Sequence, residues 1–149
     1  MEKNGYINLG GLARQSYSAE NVALVGFGSY QGKVLASHAW EGPEEVMNLP
    51  PGKLNSYEDY FHRVSVSKNA RQFYLLLNAD RSAILCQKLG HRAVGVVYHP
   101  EQESRGNYVP TELAKRYDAF VFIDRTTALT SLHTPANHGE FPETWPSGQ

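Results

Sequence analysis

Six histidines, one cysteine and a spread of carboxylates are the groups in this sequence able to move a proton, hold a metal or attack a carbonyl. The histidines are His38, His62, His91, His99, His133 and His138. None is followed by another at i+2 or i+4, so neither a strand nor a helix sets two imidazoles side by side as metal ligands. No metal and no other cofactor is expected. Cys86 stands in the apolar stretch Ala83-Ile84-Leu85-Cys86. A reactive thiol needs an electropositive, accessible setting, so this one reads as buried and inert. There is no Gly-x-Ser-x-Gly elbow and no Walker loop. Gly26, Gly28 and Gly32 do not make a dinucleotide fingerprint, because the third glycine of that motif would fall at Gln31.

One run concentrates usable chemistry. Tyr98-His99-Pro100-Glu101-Gln102-Glu103-Ser104-Arg105 brings together an imidazole, two carboxylates and a guanidinium. It follows directly on the most strand-like segment, and open α/β sheets place ligands beyond the carboxyl ends of their strands. The same residues also read as a polar loop closed by its own ion pairs. His38 ends another strand-like run beside Trp40 and Glu41, and reads as a site residue or as an ordinary structural one. The candidates for a substrate cleft are therefore His38, Trp40, Tyr98, His99, Glu101, Glu103 and Arg105. Asp124 follows the last apolar run in the same manner, or caps the segment after it.

The elements that must carry these groups follow from periodicity and punctuation. A short helix is expected from Asn8 to about Tyr17, despite Gly10 and Gly11. Val22–Phe27 reads as a buried strand, Ser29-Tyr30-Gln31-Gly32 as a turn, and Lys33–Trp40 as a returning strand, which together make an antiparallel hairpin. Residues 41–55, with three prolines and two glycines, read as a long connection. Ser56 with Asp59 three residues on is close to a capping box, and Tyr57, Tyr60, Phe61 and Val64 share the apolar face of the helix that follows. Gln72–Leu77 is a second buried strand. Arg81–Leu89 is a short helix or an irregular link stopped by Gly90. Arg92–Tyr98, apolar and β-branched, is the clearest strand. Pro110–Tyr117 reads as a helix with proline in its first turn. Asp118–Ile123 is the last strand. The runs at 92–98 and 118–123 are continuous rather than alternating, which suits a sheet covered on both faces. The fold class is α/β: a mixed sheet with short flanking helices, an incomplete part of a larger hydrolase-type domain. Residues 1–133 form the folded portion, and 134–149, rich in Pro, Gly and polar residues, read as a loose tail.

Composition bounds the function. With 14 basic and 15 acidic side chains the formal charge is −1, so phosphate neutralisation gives no purchase on nucleic acid. No segment approaches the roughly 20 apolar residues that cross a bilayer, and the first residues lack a signal-peptide core. One cysteine fits a reducing compartment. The expectation is a soluble, cytoplasmic protein with no nucleic-acid or membrane partner.

Four stretches, in order, resemble one family. They are Gly26–Ala36 followed by Trp40, Asn55–His62, Arg92–Glu101 and Tyr117–Thr126. Together they resemble the C-terminal part of the erythromycin esterase-like family, whose members are also named succinoglycan biosynthesis proteins. The resemblance runs from about Asn8 to His133. It implies ester or lactone hydrolysis by water attack without a bound metal, of the kind that inactivates macrolide antibiotics, with a histidine as general base. The family's reactive residues lie in a Gly-Glu-(small)-x-His-Gly motif and a His-Asn-x-His motif, and neither occurs in this sequence. No catalytic residue is carried over. The resemblance therefore implies a hydrolase piece that is silent by itself, with an ester or lactone and the missing N-terminal part of the fold as its partners. The alternative is a non-catalytic α/β binding or scaffolding module.

Overall fold

The computed structural model describes residues 9–77 and 83–130. The stretch 134–149, read above as a tail, lies outside them, as do Asn8, His133 and His138. The elements are α1 (Leu9–Tyr17), β1 (Val25–Ala36), β2 (Glu45–Leu49), α2 (Tyr57–Lys68), β3 (Gln72–Leu76), β4 (Lys88–Arg92), α3 (Glu103–Gly106), β5 (Tyr108–Glu112), α4 (Leu113–Arg116) and β6 (Ala119–Thr126). A four-stranded sheet has the order β2-β1-β6-β3, with β1 and β6 parallel and the outer pairings antiparallel. A second sheet pairs β4 with β5. The architecture is the expected α/β class with a mixed sheet.

The first hairpin is not where composition put it. Residues 25–36 form one unbroken strand, bonded to β6 along Val25–Gly32 and to β2 along Gly32–Ala36. Pairing with β6, joined at Gly32 by β2, holds Ser29-Tyr30-Gln31-Gly32 extended, against its turn-like composition. The glycines serve clearance rather than reversal. A Cβ on Gly26 would sit 2.7 Å from the Phe120 ring, and one on Gly32, whose φ is 140°, would sit 2.2 Å from the Thr126 carbonyl oxygen. The true hairpin joins β1 to β2, so part of the proline-rich connection is a strand. In β2 Met47 and Leu49 point inward and alternate with exposed Val46.

Further along, the apolar run at 92–98 signals burial, but burial does not require a ladder. The strand expected at Arg92–Tyr98 ends at Arg92. Beyond it the chain makes a single parallel bridge, Ser37 to Val97, and its apolar residues Val94 and Tyr98 pack on Ala36, Met47 and Leu49 instead. Lys88 and Leu89, read as the end of a helix or link that Gly90 would stop, instead open β4, with Gly90 inside it. The expected helix at Pro110–Tyr117 is likewise divided. Pro110 sits opposite Gly90 in β5, in a two-stranded sheet that tolerates a missing N–H, and only Leu113–Arg116 is helical.

Helix α2 forms as its capping residues predict. The Ser56 hydroxyl accepts from the Asp59 amide at 3.3 Å, and Asn69 closes the helix in the left-handed conformation at φ 50°. Its buried side is Tyr57, Glu58, Phe61 and Ser65 rather than the stripe that included Val64, which is 44% exposed. This helix covers one face of the large sheet, where Phe61 meets Phe73, Phe120 and Phe122. The opposite face carries Val25, Phe27, Val46, Tyr74 and Leu76, all more than half solvent-exposed or at the halfway mark. Helix α1 has no buried residue and is tied down by Arg14, which donates to Asp118 at 2.6 Å.

Candidate functional site

Parallel strands β1 and β6 end on the same side of the sheet, at Ala36 and Thr126. The bridge at Ser37 draws the 96–99 segment to this end, through Ser37 N donating to the Val96 carbonyl and Tyr98 N to the Ser37 carbonyl, both at 2.9 Å. The consequence is that His38 and His99, 61 residues apart in sequence, meet with their Nδ1 atoms 3.5 Å apart. Glu45 lies 3.9 Å from His38 Nε2 and Glu101 3.6 Å from His99 Nδ1. All four side chains are exposed, so these approaches carry little energy. An open depression of about 510 Å³ adjoins them, lined by Val97, His99, Gln102, Arg105, Gly106 and Asn107. Trp40 is exposed on the turn after β1. No group of three metal-ligating side chains occurs among the described residues.

The other two predicted site residues point inward. Tyr98 and Glu103 are buried at 1% and 2% exposure, and the Tyr98 hydroxyl donates to Glu103. Glu103 also accepts from Arg92, Nη2 at 2.9 Å and Nε at 3.1 Å, and from the Tyr108 hydroxyl at 3.0 Å. Arg92 then donates to the carbonyls of Ser29, Tyr30 and Pro50 at 2.7–2.9 Å. The guanidinium's donors are shared between the side chains of Glu103 and Tyr108 and the carbonyls of two other segments, 29–30 and 50, so that Arg92 ties its own segment to both. Burial, with Glu103 as acceptor, pushes the Tyr98 phenol far above its ordinary value, and burial pushes Tyr108 up to about 12. Cys86, expected to be buried, is exposed.

Two acid–imidazole pairs escaped the sequence reading. Glu58 on α2 accepts from His91 Nδ1 at 2.7 Å and from the Arg92 amide at 3.0 Å, while its second oxygen is buried without a partner. With exposures of 1% and 4% this pair is sealed from solvent. The second pair is His62 and Asp124, 2.6 Å apart between Nδ1 and Oδ1. It lies at the carboxyl end of β6, beside Tyr30 of β1, whose ring stacks on the imidazole at 3.7 Å and 5°. Both members fall inside the stretches that carry the family resemblance. The available signal was that an Asp ending a buried strand, two residues after Phe122, must face the same side as Phe122, which is the side α2 covers.

The matched segments of solved structures agree with this fold. The chain superposes on a crystal structure of a Bacillus cereus protein with a TM-score of 0.65 at 20% identity, over 85% of this chain and 30% of that one. It superposes on the crystal structure of a succinoglycan biosynthesis protein with a TM-score of 0.61 at 15% identity, over 84% of this chain and 29% of that one. The chain thus spans about 30% of the length of the solved structures it matches. Residues 1–126 match the family model described as erythromycin esterase, and the chain belongs to that family.

Proposed function

We propose that this chain is the C-terminal portion of an esterase-like hydrolase acting on ester or lactone bonds, and that it does not turn over such substrates by itself. The observation that carries the reading is the uncovered face of the large sheet. A parallel pair such as β1 and β6 is ordinarily covered on both sides, yet here Phe27 is 66% and Tyr74 71% exposed. The remainder of a larger domain would lie against that face. Silence follows from the chemistry held elsewhere in the family: rate enhancement in acyl transfer rests chiefly on aligned donors for the oxyanion and on substrate positioning. The His38–His99 side of the sheet would then form one wall of the cleft, with Trp40, Glu101 and Arg105 near it. The test is incubation of the purified chain with a macrolide lactone and with simple alkyl esters. No turnover above buffer is expected. Turnover abolished by His38→Ala or His99→Ala would overturn the proposal.

A further inference from the structure

We infer that His38 and His99 form a binding site for a divalent transition-metal ion of the zinc type, at the end of the sheet where β1 stops. The site is independent of whether the chain serves a hydrolase, and the ion has no part in ester cleavage. No local spacing announces the pair, because the two histidines are 61 residues apart and only the Ser37–Val97 bridge brings them together. Their Nδ1 atoms stand 3.5 Å apart. Two ring nitrogens, each about 2.0–2.1 Å from a tetrahedral zinc, are separated by roughly 3.4 Å. The ring centroids are 5.4 Å apart, so the rings meet edge to edge through these nitrogens and are not stacked face to face. Without an ion the two nitrogens can share a single proton at most, and 3.5 Å is the outer limit of such a hydrogen bond. An ion takes both lone pairs at once.

The surroundings of the pair fit the role. Glu45 lies 3.9 Å from Nε2 of His38, the nitrogen that does not face His99. A carboxylate on the far nitrogen of a ligating histidine fixes the tautomer that leaves the other lone pair for the metal. Glu101 Oε1 is 3.6 Å from His99 Nδ1, on an exposed side chain, so a small rotation brings it to the ion as an oxygen ligand. As the side chains stand, two of them converge and not three, and water fills the remaining positions. The main chain is already set. Ser37 and Tyr98 are buried, so each histidine directly follows an anchored residue. Pro100 restricts His99 to the extended backbone it adopts, with φ −129° and ψ 96°. The imidazoles themselves are 53% and 41% exposed, open to an ion from solvent. His62 and His91 offer nothing comparable, since a carboxylate holds the Nδ1 of each at 2.6–2.7 Å. Imidazole suits zinc, copper and nickel, whereas magnesium prefers oxygen ligands.

The experiment is isothermal titration of zinc chloride into the metal-stripped full chain, with magnesium chloride as the hard-ion control. His38→Gln and His99→Gln are compared with the unaltered chain. Cys86→Ser and the double variant His133→Gln/His138→Gln test the other groups able to take up zinc. The expected result is zinc binding whose affinity falls at least tenfold in each of His38→Gln and His99→Gln, keeps its value in the two controls, and has no counterpart with magnesium. Histidine ¹H–¹⁵N correlation spectra of the unaltered chain should show the Nδ1 signals of His38 and His99 moving together as zinc is added, with both Nε2 atoms protonated. Absence of zinc binding, an unchanged affinity in folded His38→Gln or His99→Gln, or spectra in which only other histidines respond, overturns the inference. Zinc uptake lost only in Cys86→Ser or in His133→Gln/His138→Gln overturns it as well, and so does equal binding of magnesium. The spectra need no variant, so the question is decided even if a substitution unfolds the protein.

Discussion

Replacing Glu103 by leucine tests the central claim about what holds the site in shape. The change keeps roughly the same volume and removes the counter-charge of Arg92, which is 3% exposed at its side chain. It also strips acceptors from the hydroxyls of Tyr98 and Tyr108. Breaking a buried ion pair from one side costs about 3–5 kcal/mol, because the surviving charge stays buried. The guanidinium keeps its three carbonyl acceptors, which places the expectation at the lower end, about 3 kcal/mol. With a urea slope of about 2 kcal/mol/M the midpoint should fall by roughly 1.5 M. Adding Arg92→Met removes the orphaned charge and, for an isolated pair, would restore most of the loss. Here it should not, because the carbonyls of Ser29, Tyr30 and Pro50 then lose their donors. A midpoint shift under about 0.3 M for Glu103→Leu, or full recovery in the double variant, would refute the view of Arg92 as the tie between three segments.

Alkali should unfold the chain before its ordinary tyrosines account for it. Tyr98 and Tyr108 have folded-state values raised by burial, Tyr108 to about 12, so their contribution is complete below about pH 10, the unfolded value, and is lost as pH rises toward 12. Urea midpoints at pH 9 and pH 11.5 should show this decline, and equal midpoints would contradict it. Gly32→Ala should cost on the order of 3 kcal/mol by thermal or urea denaturation, since the new methyl meets the Thr126 main chain at 2.2 Å and the φ is 140°. Cys86 should react with a disulfide reagent in the native protein, at a rate that denaturant barely changes.

What the sequence showed well was local chemistry. Ser56 with Asp59 announced α2, and the apolar run ending at Ile123 announced β6, because capping and burial are written in adjacent residues. What it hid was pairing. Whether Ser29-Tyr30-Gln31-Gly32 turns or runs straight is decided by β6, almost 100 residues away, and whether Arg92–Tyr98 joins a ladder depends on a neighbour being present. The site followed the same division. His38 and His99 were each singled out, but that they meet comes from the Ser37 bridge, which no local pattern announces. The partnership of Glu103 with Arg92 could not be told from a solvated loop without knowing that the loop folds inward. For the His62–Asp124 pair the strand parity of Asp124 told which side of the sheet it faces, but not which helix residue, 62 positions away, would meet it there.

The two sides of β1 obey different rules, and that shapes how the gene can change. Gly26 and Gly28 are flush against Phe120, and Gly32 against Thr126, so even one added carbon at these sites collides with its neighbour. Val25, Phe27 and Lys33, between and beyond them, project away into open space. A saturation library across 25–33 should therefore recover variants in an every-other-residue rhythm, permissive at odd positions and nearly invariant at glycine. That rhythm would relax nowhere along the stretch unless Phe120 or Thr126 changed in the same clone.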